Sequence, residues 1–187
     1  LFADVDTLSE PGCVVGVIHN GQYIHKNGYG LANMEHRVYL TSQSVFRIGS
    51  VSKQFTAMAI AILAERNDLD LDSDIHAYLP ELMDYSHRVT IRQMLHHIAG
   101  MGDYDHKAFR KQDGTDFRFG NEDYATIGEF YTMVMKANLI HEPGTRYEYS
   151  NLGYFLLAHV VERVSGKTLS EFAETEIFSP LGMNSTL

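Results

Sequence analysis

Apolar and polar positions along the chain change their period near residue 50. Before it, "GCVVGVIHNGQYIHKNGYG" holds two strand-like runs, Cys13 to His19 and Gln22 to Tyr29, on either side of Asn20-Gly21. Asn-Gly suits a two-residue type I′ turn, because both positions need positive φ. The pattern predicts a β-hairpin there and a short strand around Val45–Ile48. From Val51 the spacing turns helical. Val51, Phe55, Met58, Ala59, Ile62 and Leu63 recur every three or four residues and predict one apolar face. "RNDLDLDSD" ends that helix.

The rest of the chain reads as helices with their own stops. Thr90 is placed to cap "IRQMLHH", with Gly100 as the expected stop. After a polar loop over about 102–121, "TIGEFYTMVMKA" predicts another helix. "EPGTRYEYSN" reads as a loop. Ser150 or Asn151 is expected to cap "LGYFLLAHVVERVS", and Gly166 to end it. A last helix is predicted from Ser170 to Phe178, closed by Pro180. The fold class is therefore α+β, a hairpin followed by a mostly helical body. An isolated hairpin is marginal in water. Further strands are expected to support it, and the chain does not obviously supply them. The expectation is a fragment whose missing strands lie beyond Leu187.

Composition narrows the function classes. The chain has 187 residues, 44% hydrophobic and 21% charged, enough for one domain with a real core. No apolar run approaches the roughly 20 residues of a membrane helix, so no transmembrane segment is expected. A net charge of −9 argues against a nucleic-acid partner, which wants a basic face. The single cysteine, Cys13, excludes an internal disulfide but not export. The chain opens "LFADVDTLSEPG" with no visible signal peptide, which leaves a leader and an N-terminal helix to lie ahead of it.

Two short motifs carry candidate chemistry. In "FRIGSVSKQF", Ser50 stands three residues before Lys53, on the same face if Ser50 begins a helix. The lysine would then reach the serine hydroxyl. A lysine acts as a base only when neutral part of the time, which against an ordinary value near 10.4 means about 5 kcal/mol of bias at pH 7. Burial and a helix N-terminus act in that direction, and Val51, Phe55 and Ala57 suggest burial. The same N-terminus points backbone N–H groups at an incoming oxyanion. Yet a serine three residues before a lysine arises about once by chance in a chain of this length, and a capped helix with an exposed lysine reads the same way. In "RYEYSN", the Tyr149 phenol on a loop before a helix could relay a proton, and Asn151 offers both a donor and an acceptor. An aromatic loop ending in a cap is the plainer reading of those letters.

Other patterns fail on inspection. Gly166-Lys167-Thr168 resembles the end of a phosphate loop, but Val161 stands where such a loop needs glycine. "DLDLDSD" alternates like a calcium loop, but Ser73 and Leu79 occupy its required glycine and glutamate positions. His96 and His97 are adjacent, so on a helix they point about 100° apart and chelate poorly. No H-E-x-x-H or paired-cysteine pattern points to zinc. No serine sits in a G-x-S-x-G elbow.

Taken together, the motifs resemble the serine β-lactamase and penicillin-binding protein superfamily, in its class C β-lactamase, esterase and D-amino-acid peptidase branch. "PGCVVGVIHNGQYIHKNGYG" resembles the family's opening hairpin and "FRIGSVSKQFTAMAI" its active-site helix. "LDLDSDIHAYLP", "TIRQMLHHIAGM", "EPGTRYEYSNLGYFLLAHVVERVSGKTL" and "PLGMNSTL" resemble later landmarks in the same order. The resemblance implies a β-lactamase/transpeptidase-like fold, incomplete here. Residues 1–187 would be a partial domain, with the sheet hairpin and lead-in strand over about 11–48 and the active-site helix and helical region over about 49–187.

The resemblance also implies roles. Ser50 would be the acylated nucleophile, Lys53 its activator and Tyr149 a general base or acid. Asn151 would orient the substrate amide and Lys53, and the Ser50 N–H would supply half of an oxyanion hole. The implied substrates are small amides, lactams or esters: β-lactams, short esters or D-amino-acid peptides. No metal or organic cofactor is implied, and the location would be periplasmic or secreted. Two departures stand out. The landmark usually read Ser-His-Thr-Ser-Gly is His96-His97-Ile98-Ala99-Gly100 here. The third motif, Lys-Thr-Gly or His-x-Gly on a later strand, is not found, since Leu169 follows Lys167-Thr168. The expectation is a serine hydrolase as the intact parent, with little or no activity in this piece alone. The competing class is a non-catalytic binding or scaffold protein.

Overall fold

The computed structural model describes residues 2, 5, 6, 9–104, 106–109 and 126–186. The chain divides into two units, Leu1–Gly49 and Ser50–Leu187. The expected loop over 102–121 therefore lies largely outside the described residues.

In the first unit, β1 (Cys13–His19) pairs antiparallel with β2 (Gln22–Tyr29), with Cys13 opposite Tyr29. Asn20 and Gly21 connect them at φ 50° and 75°, the two positive angles a type I′ turn requires. A bulge between Val17 and Ile18 shifts the register near that turn. A second, smaller hairpin pairs β3 (Leu31–Asn33) with β4 (Val38–Tyr39). The sequence pattern did not predict it, because neither run is long enough to show alternation. Gly12 must be glycine: its N–H donates to the Leu31 carbonyl, and a Cβ there would lie 1.7 Å from the Tyr29 oxygen. The strand expected at Val45–Ile48 does not form. Its apolar residues, Val45, Phe46 and Ile48, are exposed, Val45 at 83%, and no described strand pairs with them. A strand is a pairing rather than a composition, so these letters alone do not make one.

The second unit is helical. A 3-10 turn, Gly49–Ser52, leads directly into α1 (Lys53–Glu65). Thr56, Ala59, Ile60 and Leu63 make the buried face of α1, with Phe55 and Ile62 partly buried beside it. Val51 and Met58 were expected on that face but are exposed. The 3-10 turn advances 120° per residue rather than 100°, which carries Val51 off the helical stripe. Ile60 takes the place the pattern gave to Met58.

α2 (Ile91–Leu95) begins in a reciprocal cap: the Thr90 hydroxyl accepts the Gln93 N–H, and Gln93 Oε1 accepts the Thr90 N–H. It ends earlier than Gly100. The Ile98 N–H donates to the Gln93 carbonyl and the His97 N–H to the Met94 carbonyl, a Schellman closure that places His97 at φ 57°. α3 (Ile127–Val134) is capped by Thr126 and Glu129 in the same reciprocal way. α4 (Asn151–Ser165) starts at the Ser150 cap and stops at Gly166, φ 70°. The last predicted helix splits into α5 (Leu169–Ala173) and a wider π-type turn, Glu174–Phe178. That turn keeps Phe172 and Ala173 buried together with Ile177 and Phe178. No helix among the described residues is long and apolar enough to cross a membrane.

α4 runs through the core and packs on α1, α2 and α5. Leu152, Leu156, Leu157, Val160 and Val161 are fully buried along it. Each contributes about 1.5–3 kcal/mol, against about 1 kcal/mol for an N-cap. Packing therefore holds α4 in place, and the Ser150 cap decides where it begins. Three of the four aspartates of "DLDLDSD" are engaged in the local structure. Asp72 pairs with Arg92 at 2.7 Å, Asp74 caps the turn Ile75–Ala77, and Asp70 accepts from the Asp72 N–H and the Ser73 hydroxyl.

Two loops of this unit are stitched together by backbone. The Ile140 N–H donates to the Gly100 carbonyl and the Gly144 N–H to the Ile98 carbonyl, both at 2.8 Å. Gly100 sits at φ 76°, and a Cβ on it would lie 2.2 Å from the His141 oxygen. Gly100→Ala is expected to destabilise the fold by about 2–4 kcal/mol, adding backbone strain to a steric clash. Urea unfolding measures this; an unmoved midpoint would show that the loops do not need this close approach.

Candidate active site

The chain places Ser50 and Lys53 in register through the 3-10 turn, where residues i and i+3 eclipse. Lys53 Nζ lies 3.4 Å from Ser50 Oγ and donates to Asn151 Oδ1 at 2.6 Å. Tyr149 Oη lies 2.7 Å from Ser50 Oγ, although the two residues are 99 apart in sequence. The same phenol lies 3.4 Å from Asn151 Oδ1. Lys53 Nζ also stands 4.8 Å from the centre of the Tyr149 ring and 5.6 Å from that of Tyr154. The four residues named from the sequence thus meet through their functional atoms.

Tyr149 is held in position through both of its neighbours. The Glu148 N–H donates to the His97 carbonyl at 2.8 Å, and the Ser150 N–H donates to His97 Nδ1 at 3.1 Å. The His97 ring packs against Tyr149 at 4.6 Å and Tyr154 at 5.0 Å between centroids. Buried Ser150 works twice: its hydroxyl donates to the Gly102 carbonyl at 2.6 Å and accepts the Gly153 N–H at 3.0 Å. One residue on, Asn151 Nδ2 donates to both carboxylate oxygens of Asp103, at 3.1 and 3.0 Å.

A family model described as beta-lactamase matches residues 2–187. The chain belongs to the beta-lactamase family. Among similar proteins, Penicillin-binding protein 4* of Bacillus subtilis is 32% identical over 186 residues, 97% of this chain and 39% of that protein. A D-aminopeptidase of Gluconobacter oxydans is 30% identical over 173 residues, 92% of this chain and 31% of that protein. The solved octameric penicillin-binding protein homologue from Pyrococcus abyssi superposes with a TM-score of 0.78 at 32% identity, over 93% of this chain and 40% of that one. The chain therefore has the β-lactamase/transpeptidase-like fold, represented by its opening hairpin and helical region, and spans well under half the length of these relatives.

Within this beta-lactamase-family chain, the surroundings of Lys53 differ from those its sequence neighbours suggested. Val51 is exposed, and the ammonium is flanked instead by Asn151, Ser50 and two tyrosine rings. Ser50 is exposed, and Tyr149 is exposed at 37%. Burial works to raise the Tyr149 phenol, but its hydrogen bonds to Lys53 and Ser50, with the Lys53 charge, outweigh burial and hold it below its ordinary value. Two residues escaped the sequence reading. His97 was visible only as half of a histidine pair in an altered landmark. Asp103 lay in a stretch that read as polar loop. Lys167 and Thr168 stand elsewhere: Thr168 caps α5 and Lys167 Nζ donates to Thr175 Oγ1. Among the described residues, no three His, Cys, Asp or Glu side chains converge to hold a metal ion.

His97 gives the site a pH dependence. To accept the Ser150 N–H, its Nδ1 must be unprotonated. Burial, and next the Lys53 charge, hold its imidazole below the ordinary value of 6.5, while Asp103 partly offsets them. The phenols of Tyr147, Tyr149 and Tyr154 complete its surroundings. A group with a lowered folded value binds its proton less readily when folded than when unfolded. Its contribution to stability is complete above pH 6.5 and is lost as pH falls through the lowered value. Unfolding free energy is expected to drop on acidification below pH 6.5 more steeply in the native protein than in His97→Gln. Equal slopes in urea titrations between pH 7 and 5 would rule this out.

Proposed function

We propose that the protein is a serine hydrolase that works by acyl transfer to Ser50. The observation that carries this reading is the 2.7 Å approach of Tyr149 Oη to Ser50 Oγ, with Lys53 within reach of both groups. A phenol held below its ordinary value by a neighbouring lysine ionises more readily, and its phenolate can accept a proton. Ser50 Oγ attacks a substrate carbonyl carbon and gives its proton to the Tyr149–Lys53 pair. The carbonyl oxygen becomes an oxyanion, for which the Ser50 N–H is one donor. As the oxyanion collapses, the C–N or C–O bond breaks and the departing nitrogen or oxygen takes the proton. The acyl group remains on Ser50 as an ester. Water then adds to that ester with the same pair as base, releasing a carboxylic acid and restoring the Ser50 hydroxyl. Asn151 Oδ1 holds Lys53 in register, and the Asn151 amide orients the substrate amide.

The substrate class is a small amide, lactam or ester. The similarity to a D-aminopeptidase and to a penicillin-binding protein supports D-amino-acid peptides and β-lactams within that class. Ser50, Lys53 and Tyr149 stand in this chain while the second oxyanion donor is expected on a later strand, so adduct formation, which needs a single attack rather than turnover, is the direct assay. The protein treated with a fluorophosphonate, or with a labelled penicillin, is expected to gain one adduct at Ser50 by mass spectrometry. Ser50→Ala should gain none, and Tyr149→Phe should react about 100-fold or more slowly. An adduct at another residue, or labelling that survives Ser50→Ala, would sink the mechanism. A native protein that gains no adduct from either probe would favour a binding protein without turnover.

A further inference from the structure

Asn151 can perform its part in only one of two orientations. Its carboxamide has nearly the same shape with oxygen and nitrogen exchanged. One flip offers Lys53 an acceptor and the other a donor. The 2.6 Å contact from Lys53 Nζ requires Oδ1 on that side while the lysine is an ammonium. A neutral amine accepts as readily as it donates. If the proton held by the Tyr149–Lys53 pair comes from the lysine side, the lysine stops enforcing the orientation.

Asp103 lies on the opposite edge of the amide. A carboxylate has only acceptors, so it demands Nδ2, and both its oxygens receive it at 3.1 and 3.0 Å. The carboxylate is itself anchored, since Oδ1 accepts the Tyr104 N–H at 2.9 Å. Its backbone is fixed one residue earlier, where the Gly102 carbonyl receives the Ser150 hydroxyl at 2.6 Å. Two consecutive residues of one loop thus meet two consecutive residues at the start of α4: Gly102 with Ser150, and Asp103 with Asn151. We infer that Asp103 is a positioning residue, which holds the Asn151 amide with Oδ1 towards Lys53 whichever protonation state that lysine is in.

This inference rests on the acyl-transfer reading only for its kinetic readout. Asp103→Ala removes the acceptor, and the rate of Ser50 labelling by a fluorophosphonate is expected to fall about 10- to 100-fold, as for small misplacements in other sites. Asp103→Asn keeps an acceptor without the charge and should recover most of that rate. The carboxylate also raises the Tyr149 phenol. Both variants should therefore shift the rising limb of the labelling rate to lower pH, a change that general loosening of the loop would not produce. Because Asp103 positions through Asn151, Asp103→Ala should cause no further loss in an Asn151→Ala background when both are compared on the plateau above the rising limb. An equal loss in both backgrounds would overturn the inference.

A second measurement needs no reactivity. The Asn151 side-chain amide, identified in ¹⁵N-correlated NMR spectra by its disappearance in Asn151→Ala, should move towards the position of a free amide in Asp103→Ala. In Asp103→Asn it should remain near its native position. An amide signal unmoved in Asp103→Ala would overturn the inference even if Ser50 reacts normally. A moved signal in a protein whose Ser50 never reacts would keep the positioning role and discard the acyl-transfer reading.

Discussion

The candidate site depends on one interaction, the grip of His97 on the residues either side of Tyr149. Its carbonyl receives the Glu148 N–H and its Nδ1 receives the Ser150 N–H. Neither bond would exist if α2 continued. The Schellman closure turns His97 to positive φ, a conformation that costs a residue with a Cβ about 1–2 kcal/mol. Glycine would adopt it more easily but would bring no ring. The strain is offset by a side chain that accepts a buried N–H and packs on two tyrosines. The end of one short helix thereby sets the start of the long one.

That start concentrates several duties in three consecutive residues. Tyr149 faces Ser50, Ser150 caps α4 and ties down Gly102, and Asn151 bridges Lys53 and Asp103. Because α4 is locked by its buried leucines and valines, its first turn cannot drift without a cavity opening in the core. The site's precision thus comes from packing at some distance from the chemistry. The hydrogen bonds nearby select among orientations the packing already permits.

What could be read from the sequence follows the range of the interactions involved. The first hairpin was legible to the residue because Asn20-Gly21 specifies its turn locally. Val45–Ile48 misled because strand formation depends on a partner elsewhere. The caps at Thr90 and Ser150 are local and visible, whereas the closure at His97 runs against the preference for glycine at positive φ. Ser50, Lys53, Tyr149 and Asn151 stood out as motifs in a fixed order, and their atoms do converge. Asp103 had no motif around it. Its contact with Asn151 spans 48 residues, which no local pattern encodes.

The electrostatics of the cluster follow from the same geometry. Lys53 is the cation among three polar neighbours, and each responds differently. It lowers the phenol of Tyr149, helps to keep His97 neutral, and fixes the amide of Asn151. Asp103 opposes it on the first two and reinforces it on the third. Removing the carboxylate would leave the phenol easier to ionise but the amide free to turn. A site tuned only for a low phenol value would omit Asp103. Under the proposed acyl transfer, its presence favours orientation at Asn151 over the last increment of ionisation at Tyr149.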